Sequence, residues 1–589
     1  MSPTIGTHAR PAKPGAAKPA RERRLQKRKS SLFANGEPMV WLTGGALALA
    51  LCMIVGLLGL VIVQGIGTFW PVHVVQKTML DGRVVAGEIA AAESYRPDQN
   101  AFEALPEAAR AVASANVAAQ DGVAQRQMIR SGNFDLSGEH FMWVSDVETA
   151  SETLPEWMLV VERQSWGRFF GVPSLFLLDG KTVANTEAEV WALYERHHDG
   201  VRERWEERER LKTEDIGRIN ARSERERLAM RNIELSEGVQ SPRYLAAAKK
   251  QTEVELQAEK EFALVRSKIE AIDRENARTR LVLTSANGVT KELGLDEIVR
   301  AYPANRLSFF DKCAVYLSRW AEFLFGEPRE ANSEGGVFPA IFGTVAMTLI
   351  MTIMVVPFGV LAALYLREYA KPGPLVTFVR IAINNLAGVP SIVFGVFGLG
   401  LFCYIVGSQI DQSLFAANLP NPTFGKGGLL WASLTLALLT LPVVIVPTEE
   451  ALSAVPSSMR EGSYACGATK WQTIRRIVLP RAMPGIMTGA ILALARGAGE
   501  VAPLMLVGAV KLAPELPIDG TAPFIHAQRS FMHLGFHIFD LGFQSQNSEA
   551  AKPMVYTTTL LLIGIVVSLN LLAIWIRARL RKRFSGVLI

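Results

Sequence analysis

The sequence predicts an all-α polytopic membrane protein that carries a large mixed α/β and coiled-coil insertion outside the membrane. Three observations lead to this fold class: six long apolar stretches, basic residues at both ends of the chain, and a polar segment between the first two stretches. The chain has 589 residues, 49% of them hydrophobic, and a net charge of +6. It is therefore too long for one domain and too apolar for an ordinary soluble protein.

The six apolar stretches carry few charges and are long enough to span a bilayer core about 30 Å thick, which needs roughly 20 helical residues. They run over Met39–Gly67, Phe338–Leu366, Ile381–Val406, Leu429–Pro447, Pro484–Val510 and Met554–Ile576. The last five form a predicted membrane core over 338–576. The first, 39–67, is predicted to be retained rather than cleaved as a signal peptide, because it is too long and no small-residue cleavage site follows it.

Basic residues flank the first and last predicted spans. Residues 1–38 are rich in Pro, Ala and Lys, which predicts a disordered arm, and residues 577–589 form a basic tail. The positive-inside rule places both ends in the cytoplasm, in agreement with an even number of spans. A basic arm beside a membrane span is expected to set topology and to contact anionic membrane lipid, and no nucleic acid partner is expected.

On this topology the segment between the first two spans is extracytoplasmic. Residues 71–185 are predicted to form a mixed α/β region, because apolar residues alternate on either side of Asp81-Gly82 in the manner of a β-hairpin. Further short strands are predicted at Phe141–Val144, Trp157–Val161 and Leu175–Leu178.

Residues 186–280 are dense in Glu and Arg and predict a helical hairpin that packs as an antiparallel coiled coil. Apolar residues spaced four and three apart give the second helix a narrow seam: Ala258, Phe262, Val265, Ile269 and Ile272. Ser241 is the predicted cap of this helix and Pro242 its first residue. The first helix has a less regular stripe, at Tyr194, His198, Val201 and Trp205. The charges are interpreted as a solvated face.

Residues 281–336 are predicted to connect the insertion to the membrane core. They contain an amphipathic helix in which apolar side chains from Leu307 to Leu324 alternate with charged ones. Such a helix fits the membrane surface. A buried helix of the preceding domain fits the pattern equally well.

Several patterns that could indicate chemistry are incomplete. Gly180-Lys181-Thr182 ends like a phosphate-binding loop, but Leu175 stands where that loop needs a glycine. His197 and His198 lack matching ligands and are interpreted as surface residues, and the four cysteines have no metal-ligand spacing. We therefore expect no metal, no disulfide framework and no cofactor, and any ATP must be bound by another chain.

A stretch between the fourth and fifth spans, 461–480, has the features of a docking elbow. Glu461 is predicted near a helix start, where its charge offsets the helix dipole, and Gly467 allows a sharp turn. Trp471, Ile474 and Ile477 then give a second short helix an apolar face opposite Arg475 and Arg476, and Pro480 and Pro484 are predicted to end it.

Two ionisable residues, Arg496 and Glu500, lie four apart in the fifth apolar stretch. Each costs about 2.5–3.5 kcal/mol at such depth on insertion scales, so they are expected to face a pathway or each other. In one interpretation they form a private ion pair. In the other, Arg496 binds a passing oxyanion and Glu500 positions or gates it.

Glu461-Gly462-Ser463, Gly467 and Ile477-Val478-Leu479-Pro480 match in spacing the EAA loop of permeases of ATP-binding-cassette (ABC) importers. Further matches lie in the spans, at 343–344, 357–363, 384–395, 440–444, 449–452, 493–496, 499–500 and 502–504. Together they resemble the phosphate-specific transport permeases, the PstA type more closely than the PstC type. The resemblance covers roughly the last 250 residues; Gly462 and Ser463 replace the usual alanines, and the insertion has no counterpart.

The resemblance implies the type I ABC importer fold and a non-catalytic permease subunit in the inner membrane. Its expected partners are a PstC-type permease, an ABC ATPase dimer that binds ATP, a periplasmic phosphate-binding protein and inorganic phosphate. It implies ATPase coupling through Glu461, Gly467, Ile477, Leu479 and Pro480, and translocation past Arg496 and Glu500. The alternatives are a permease for sulfate, molybdate or another solute, and a membrane-anchored sensor or scaffold that works through its coiled coil.

Overall fold

The computed structural model describes residues 37–97, 110, 114, 117, 122–520, 524–545 and 548–585. The chain divides into two units, residues 1–60 and 61–589. Most of helix α1 (Glu37–Gly67) belongs to the first unit, and every contact given below lies within the second. The basic arm predicted at 1–38 lies outside the described residues except for its last two positions, which begin α1.

The first sheet after α1 is antiparallel, in the order β4-β3-β2-β1-β5. Its strands are β1 (Val74–Met79), β2 (Val84–Tyr95), β3 (Ala124–Arg130), β4 (Phe141–Ser145) and β5 (Thr149–Thr153). Gly82, at φ +86°, turns the chain between β1 and β2, which confirms the hairpin predicted at Asp81-Gly82. One helical turn, α2 (Phe134–Ser137), precedes β4.

The second sheet has the order β10-β9-β7-β6-β11, with β8 paired to β7. Its strands are β6 (Leu159–Arg163), β7 (Arg168–Leu178), β8 (Lys181–Ala184), β9 (Thr279–Thr284), β10 (Thr290–Gly294) and β11 (Ile298–Pro303). Strands from before and after the helical segment therefore pair in one sheet. The predicted division at residue 280 differs from this arrangement, because pairing between distant segments leaves no local periodicity in the sequence.

Long helices leave and rejoin the second sheet. Helix α3 (Glu187–Arg210) continues through a π-helical turn, Leu211–Asp215, into α4 (Ile216–Glu237), and α5 (Pro242–Asn276) returns. The Ser241 hydroxyl accepts a hydrogen bond from the Tyr244 N–H at 3.0 Å, and Pro242 is the first residue of α5, as predicted.

The predicted seam of α5 packs against the helical segment that follows α3. Ala258 and Val265 are buried against Leu211 and Ile219. In contrast, α3 packs its buried residues on the second sheet: Val190, Tyr194 and Val201. His198 is partly buried there, with Nε2 3.0 Å from the Ile298 carbonyl oxygen, so its interpretation as a surface residue is wrong. The coiled coil stays a prediction.

The label all-α is wrong for the whole chain, because eleven strands, β1 to β11, form the two sheets described above. All eleven lie between residues 74 and 303, in a segment for which a mixed α/β region was predicted only over 71–185. Helices do account for most of the ordered structure after β11: α6 (Phe309–Phe325), α7 (Phe338–Leu364), α8 (Pro374–Leu386), α9 (Ser391–Gly398), α10 (Ser408–Leu414), α11 (Leu429–Ser453), α12 (Ser457–Ala465), α13 (Lys470–Thr473), α14 (Leu479–Gly499), α15 (Ala502–Val507), α16 (Leu534–Phe539) and α17 (Ser548–Ser585). The two-residue strands β12 (Pro328–Arg329) and β13 (Glu334–Gly335) precede α7.

Six helical segments of the described chain are long and apolar enough to cross a membrane, as predicted. They are Met39–Gly67, Phe338–Tyr369, Ser391–Leu414, Leu429–Ser453, Lys470–Gly499 and Ala551–Arg579. Helices α7, α11 and α14 form the centre of the membrane core, with Met351, Leu436, Val444 and Ala493 buried between them.

The third and fifth spans differ from their predicted limits. The prediction Ile381–Val406 ran across the break between α8 and α9, where Pro390 disfavours a helical conformation of the preceding residue. The fifth span begins at Lys470 rather than Pro484 and ends at Gly499. Arg475 and Arg476 lower the hydropathy at its start, so the apolar stretch begins later than the helix.

Candidate functional site

The elbow between the fourth and fifth spans consists of two helices joined by a tight turn. Helix α12 ends at Ala465, and Gly467 follows at φ +81°, a left-handed conformation that favours glycine. The Thr469 side chain accepts a hydrogen bond from the Gln472 N–H, and the Gln472 side chain accepts one from the Thr469 N–H. This capping box starts α13 and fixes the direction of the second arm.

The outer side of the elbow is exposed. We call five of its exposed residues the elbow surface: Glu461, Gly462, Tyr464, Cys466 and Trp471. Tyr464 and Trp471 are 42% and 52% exposed. Exposed tyrosine and tryptophan side chains are typical of protein–protein interfaces. The inner side is anchored by Ile474 and Val478, which are fully buried.

Two predicted features of the elbow are wrong. Glu461 lies in the middle of α12, which begins at Ser457, so its charge is not at the helix start. Pro480 does not end a helix: α13, a π-helical turn at Ile474–Val478 and α14 are continuous. In this turn the Leu479 N–H donates to the Ile474 carbonyl, five residues back instead of the four of an α-helix. The helix then continues through Pro480. Pro484 is likewise inside α14.

The predicted apolar and basic faces of the second arm are present in part. Ile474 is buried and Ile477 half-buried, while Arg475 and Arg476 are exposed. Trp471 was predicted on the apolar face, but it points to the exposed side. The buried positions are Thr473, Ile474 and Val478, so the buried face is centred away from Trp471.

Both arms of the elbow are tied to the end of the second spanning helix. Arg460 Nη2 lies 3.0 Å from Glu368 Oε1 and also donates to the Leu452 carbonyl at 2.8 Å. From the other arm, Lys470 Nζ donates to the Glu368 carbonyl and lies 4.9 Å from the centre of the Tyr369 ring. We call these residues the clamp: Glu368, Tyr369, Arg460 and Lys470.

The Arg460–Glu368 pair is well protected, since the side chains are 18% and 9% exposed. Sequence analysis missed the clamp because its members lie 92 and 102 positions apart along the chain. The available signal was Arg367-Glu368, a pair of charges that closes the second apolar stretch.

A second ion pair lies beside the clamp. Arg380 of α8 contacts Glu449 of α11, and a cavity of about 280 Å³ opens between these helices. Arg367 and Glu450 also line this cavity. Helices α8 and α11 are thus joined on the same side of the membrane core as the elbow.

Arg496 and Glu500 meet at the end of the fifth spanning helix. Arg496 Nε lies 3.4 Å from Glu500 Oε1, and the side chains are 34% and 18% exposed. Glu500 follows the last helical residue, Gly499, and its backbone is extended, so the pair is at a helix end rather than within the helix as predicted. A cation in the last turn is favoured by the helix dipole. The ion pair is present, and about a third of the Arg496 side chain, 34%, is exposed.

The segment after α15 folds back onto the second span. The Leu534 N–H donates to Thr344 Oγ1 at 2.9 Å. A Cβ atom at Gly343 would lie 2.1 Å from the Met532 carbonyl oxygen, so only glycine permits this approach. Gly343-Thr344, quoted above for the family resemblance, is therefore a packing site.

Comparison with known proteins bears on this core. Residues 337–586 match the family model for the binding-protein-dependent transport system inner membrane component. The phosphate transport system permease protein PstA of Mycobacterium leprae is 43% identical over 191 residues, which are 32% of this chain and 56% of that protein. The probable phosphate transport system permease protein PstA of Methanocaldococcus jannaschii is 32% identical over 219 residues, 36% of this chain and 68% of that protein. The chain belongs to the PstA-type family of ABC transporter permeases.

This PstA-type permease spans about half the length of the first curated relatives it matches, 56% and 52%. Among solved structures, an inward-facing MetNI methionine ABC transporter is 23% identical, with a TM-score of 0.29, over 42% of this chain and 94% of that chain. The family region contains the elbow, the clamp and Arg496, whereas both sheets and the hairpin helices lie outside it.

Proposed function

We propose that this chain is the permease subunit of an ATP-driven importer of inorganic phosphate. The elbow surface carries the proposal, because it presents two exposed aromatic side chains on a turn that is rigidly tied to the membrane core. An ABC ATPase dimer would dock there, with Glu461 and Gly467 shaping the first arm and Ile477, Leu479 and Pro480 leading into the fifth span. ATP would be bound by that partner, and this chain would be non-catalytic.

The family suggests the other subunits of the assembly, and the basic residues at the ends of the chain suggest its orientation in the membrane. A PstC-type permease would complete a type I importer pathway beside Arg496 and Glu500, and a periplasmic phosphate-binding protein would deliver the substrate. Basic residues at both ends of the chain favour cytoplasmic termini and therefore an extracytoplasmic insertion. The relatives from Mycobacterium leprae and Methanocaldococcus jannaschii are both named for phosphate transport, which favours phosphate over sulfate or molybdate.

Uptake of labelled phosphate tests the proposal. We expect uptake to fall in cells that lack the gene, to return when the gene is restored, and to resist excess sulfate and molybdate. Phosphate uptake that never depended on the gene would reject the substrate but not the family. Competition by sulfate or molybdate would favour a different oxyanion.

Arg496 separates the two interpretations of its pair with Glu500. If the guanidinium binds phosphate, Arg496→Ala should lower uptake by at least about tenfold, since a charge-assisted bond to an anion is worth about 1.5–3 kcal/mol. Arg496→Lys should retain only part of the uptake, because lysine lacks the planar fork of donors. Measurement of initial uptake rates at equal membrane abundance checks both.

The double variant Arg496→Gln with Glu500→Gln is the matched control. It removes both charges, so Glu500 is not left without a counter-charge as it is in Arg496→Ala. Uptake that recovers in the double variant would show that the two residues serve only each other. Uptake that stays low would keep Arg496 in the pathway.

A further inference from the structure

Helix α6 has an exposed face that is apolar along its entire length. This outer face consists of residues spaced four, three, four and four apart, which share one side of a helix: Phe310, Ala314, Leu317, Ala321 and Phe325. The three large members are 81%, 65% and 76% exposed. A row of this kind on a water-facing helix would be costly, so it indicates a partner.

The opposite face of α6 is fully occupied. Arg319 and Phe323 are buried, and Tyr316, Trp320 and Leu324 pack in the same cluster. Arg319 bonds to Glu162 of the second sheet, while Phe323 packs against Phe69. The helix therefore lies between the second sheet and the membrane core. This packing explains the buried face of the helix but does not explain the apolar outer face.

The middle and the C-terminal end of α6 lie beside the ends of two spanning helices. Near its middle, the Tyr316 hydroxyl donates to the Ile66 carbonyl at 3.1 Å, one residue before the end of α1. At its end, the Val337 N–H donates to the Phe323 carbonyl at 2.8 Å, and α7 begins at the next residue. Contacts to the last turn of one span and the first of another place α6 at the edge of the bilayer.

Aromatic residues beside α6 have the character of an interfacial belt. Trp70, which follows α1 and is 36% exposed, lies 6.0 Å from Phe309 and 5.6 Å from Tyr316 between ring centres. Trp and Tyr are enriched at the level of the lipid headgroups. Ser308 and Asp311 form a capping box that starts the helix at this level.

We propose that α6 lies in the membrane interface and that its outer face inserts into the lipid at the surface that faces the insertion. The partner is the bilayer itself. Contact with lipid explains why the outer face carries no charge, while the inner face holds the insertion through Arg319. The insertion would thus be seated at a fixed height above the membrane. This inference rests on the membrane-spanning core and holds whichever solute is transported.

Depth measurement on the full-length protein in vesicles tests the proposal. A bimane fluorophore is attached at Leu317→Cys, after replacement of Cys52, Cys313 and Cys466 by serine, with the buried Cys403 left in place. The vesicles contain either ordinary or brominated phosphatidylcholine, which quenches by contact. We expect fluorescence to fall by at least about twofold in brominated vesicles, since an interfacial helix buries its apolar face about 5–10 Å into the headgroup boundary.

Matched variants make the result decisive. Leu264→Cys on α5 is the negative control, because Leu264 is also a leucine and is 59% exposed, and it should not be quenched. Leu571→Cys on the last spanning helix, 61% exposed, should be quenched. Phe325→Cys repeats the test on the outer face if Leu317→Cys fails to fold. Quenching at 571 without quenching at 317 or 325 would overturn the proposal and would indicate that another protein covers this face.

Discussion

Replacement of Glu162 with glutamine is expected to destabilise the folded protein by about 3–5 kcal/mol, the usual cost of removing one partner from a buried ion pair. Glu162 Oε1 accepts hydrogen bonds from Arg319 at 2.8 and 2.5 Å, and Oε2 accepts one from Arg300 at 2.6 Å. Arg168 lies 3.9 Å away, and the Glu162 side chain is only 8% exposed. The variant would leave these guanidinium groups in a protein interior without their shared counter-charge.

The position of Glu162 extends the effect beyond one side chain. It lies on β6, Arg300 on β11 and Arg319 on α6. Arg319 also donates to the Phe69 carbonyl at 3.0 Å, just past the end of α1. Loss of the carboxylate therefore weakens the connection between the second sheet, α6 and the segment that contains Phe69.

The same network predicts the response to acid. Burial alone would raise the pKa of Glu162, but Arg319, Arg300 and Arg168 outweigh it and hold the pKa well below its ordinary value of 4.5. The stabilisation is therefore complete above pH 4.5 and is lost as the pH falls through the lowered pKa of the folded state. The difference in stability between wild type and Glu162→Gln should be largest at neutral pH and should shrink in acid.

Thermal unfolding of the full-length protein in detergent measures this effect at several pH values. Glu206→Gln is the matched control, because Glu206 is 69% exposed and lies 3.9 Å from Arg202, within the range of a weak surface pair. That control should change stability by less than about 1 kcal/mol. Equal midpoints for Glu162→Gln and Glu206→Gln would contradict the structural role of the network.

Features set by neighbouring residues could be predicted from the sequence. The hairpin at Asp81-Gly82 and the cap at Ser241 depend on turn and cap chemistry within a few positions. The turn at Gly467 could be predicted for the same reason, because glycine is the residue that most readily adopts a left-handed conformation. The six spans were found because hydropathy is a sum over adjacent residues.

Features that depend on distant or backbone geometry could not be predicted. Glu162 and Arg319 form their ion pair although they are 157 positions apart in the sequence, and the residues around each give no indication of its partner. Trp471 lies off the buried face, and the helix continues through the π-helical turn at Ile474–Val478 and through Pro480, contrary to the expectation that proline ends a helix. In the candidate site, Arg496 and Glu500 were found because their spacing is local, whereas the clamp was missed.

The clamp gives the second large expected effect. If ATPase movements enter through the elbow, as the proposed function requires, they reach the second span through the bond between Arg460 and Glu368. We expect Glu368→Ala to lower phosphate uptake by about 5–150-fold, because coupling between sites is typically worth about 1–3 kcal/mol. ATP hydrolysis by the assembled complex should persist, since the elbow surface itself is unchanged. The ratio of phosphate transported to ATP hydrolysed in reconstituted vesicles measures this directly.

Two further variants distinguish transmission from simple loss of structure. Arg481→Ala removes an exposed arginine at the start of α14, near the elbow but outside the clamp, and should leave the ratio unchanged. Glu368→Gln should behave like Glu368→Ala, because Arg460 needs a charged partner at a site where the glutamate side chain is 9% exposed. If uptake and hydrolysis fell together in proportion to lost complex, the clamp would only hold the fold together. A reduced ratio in an intact complex would establish that the second span receives its motion from the elbow.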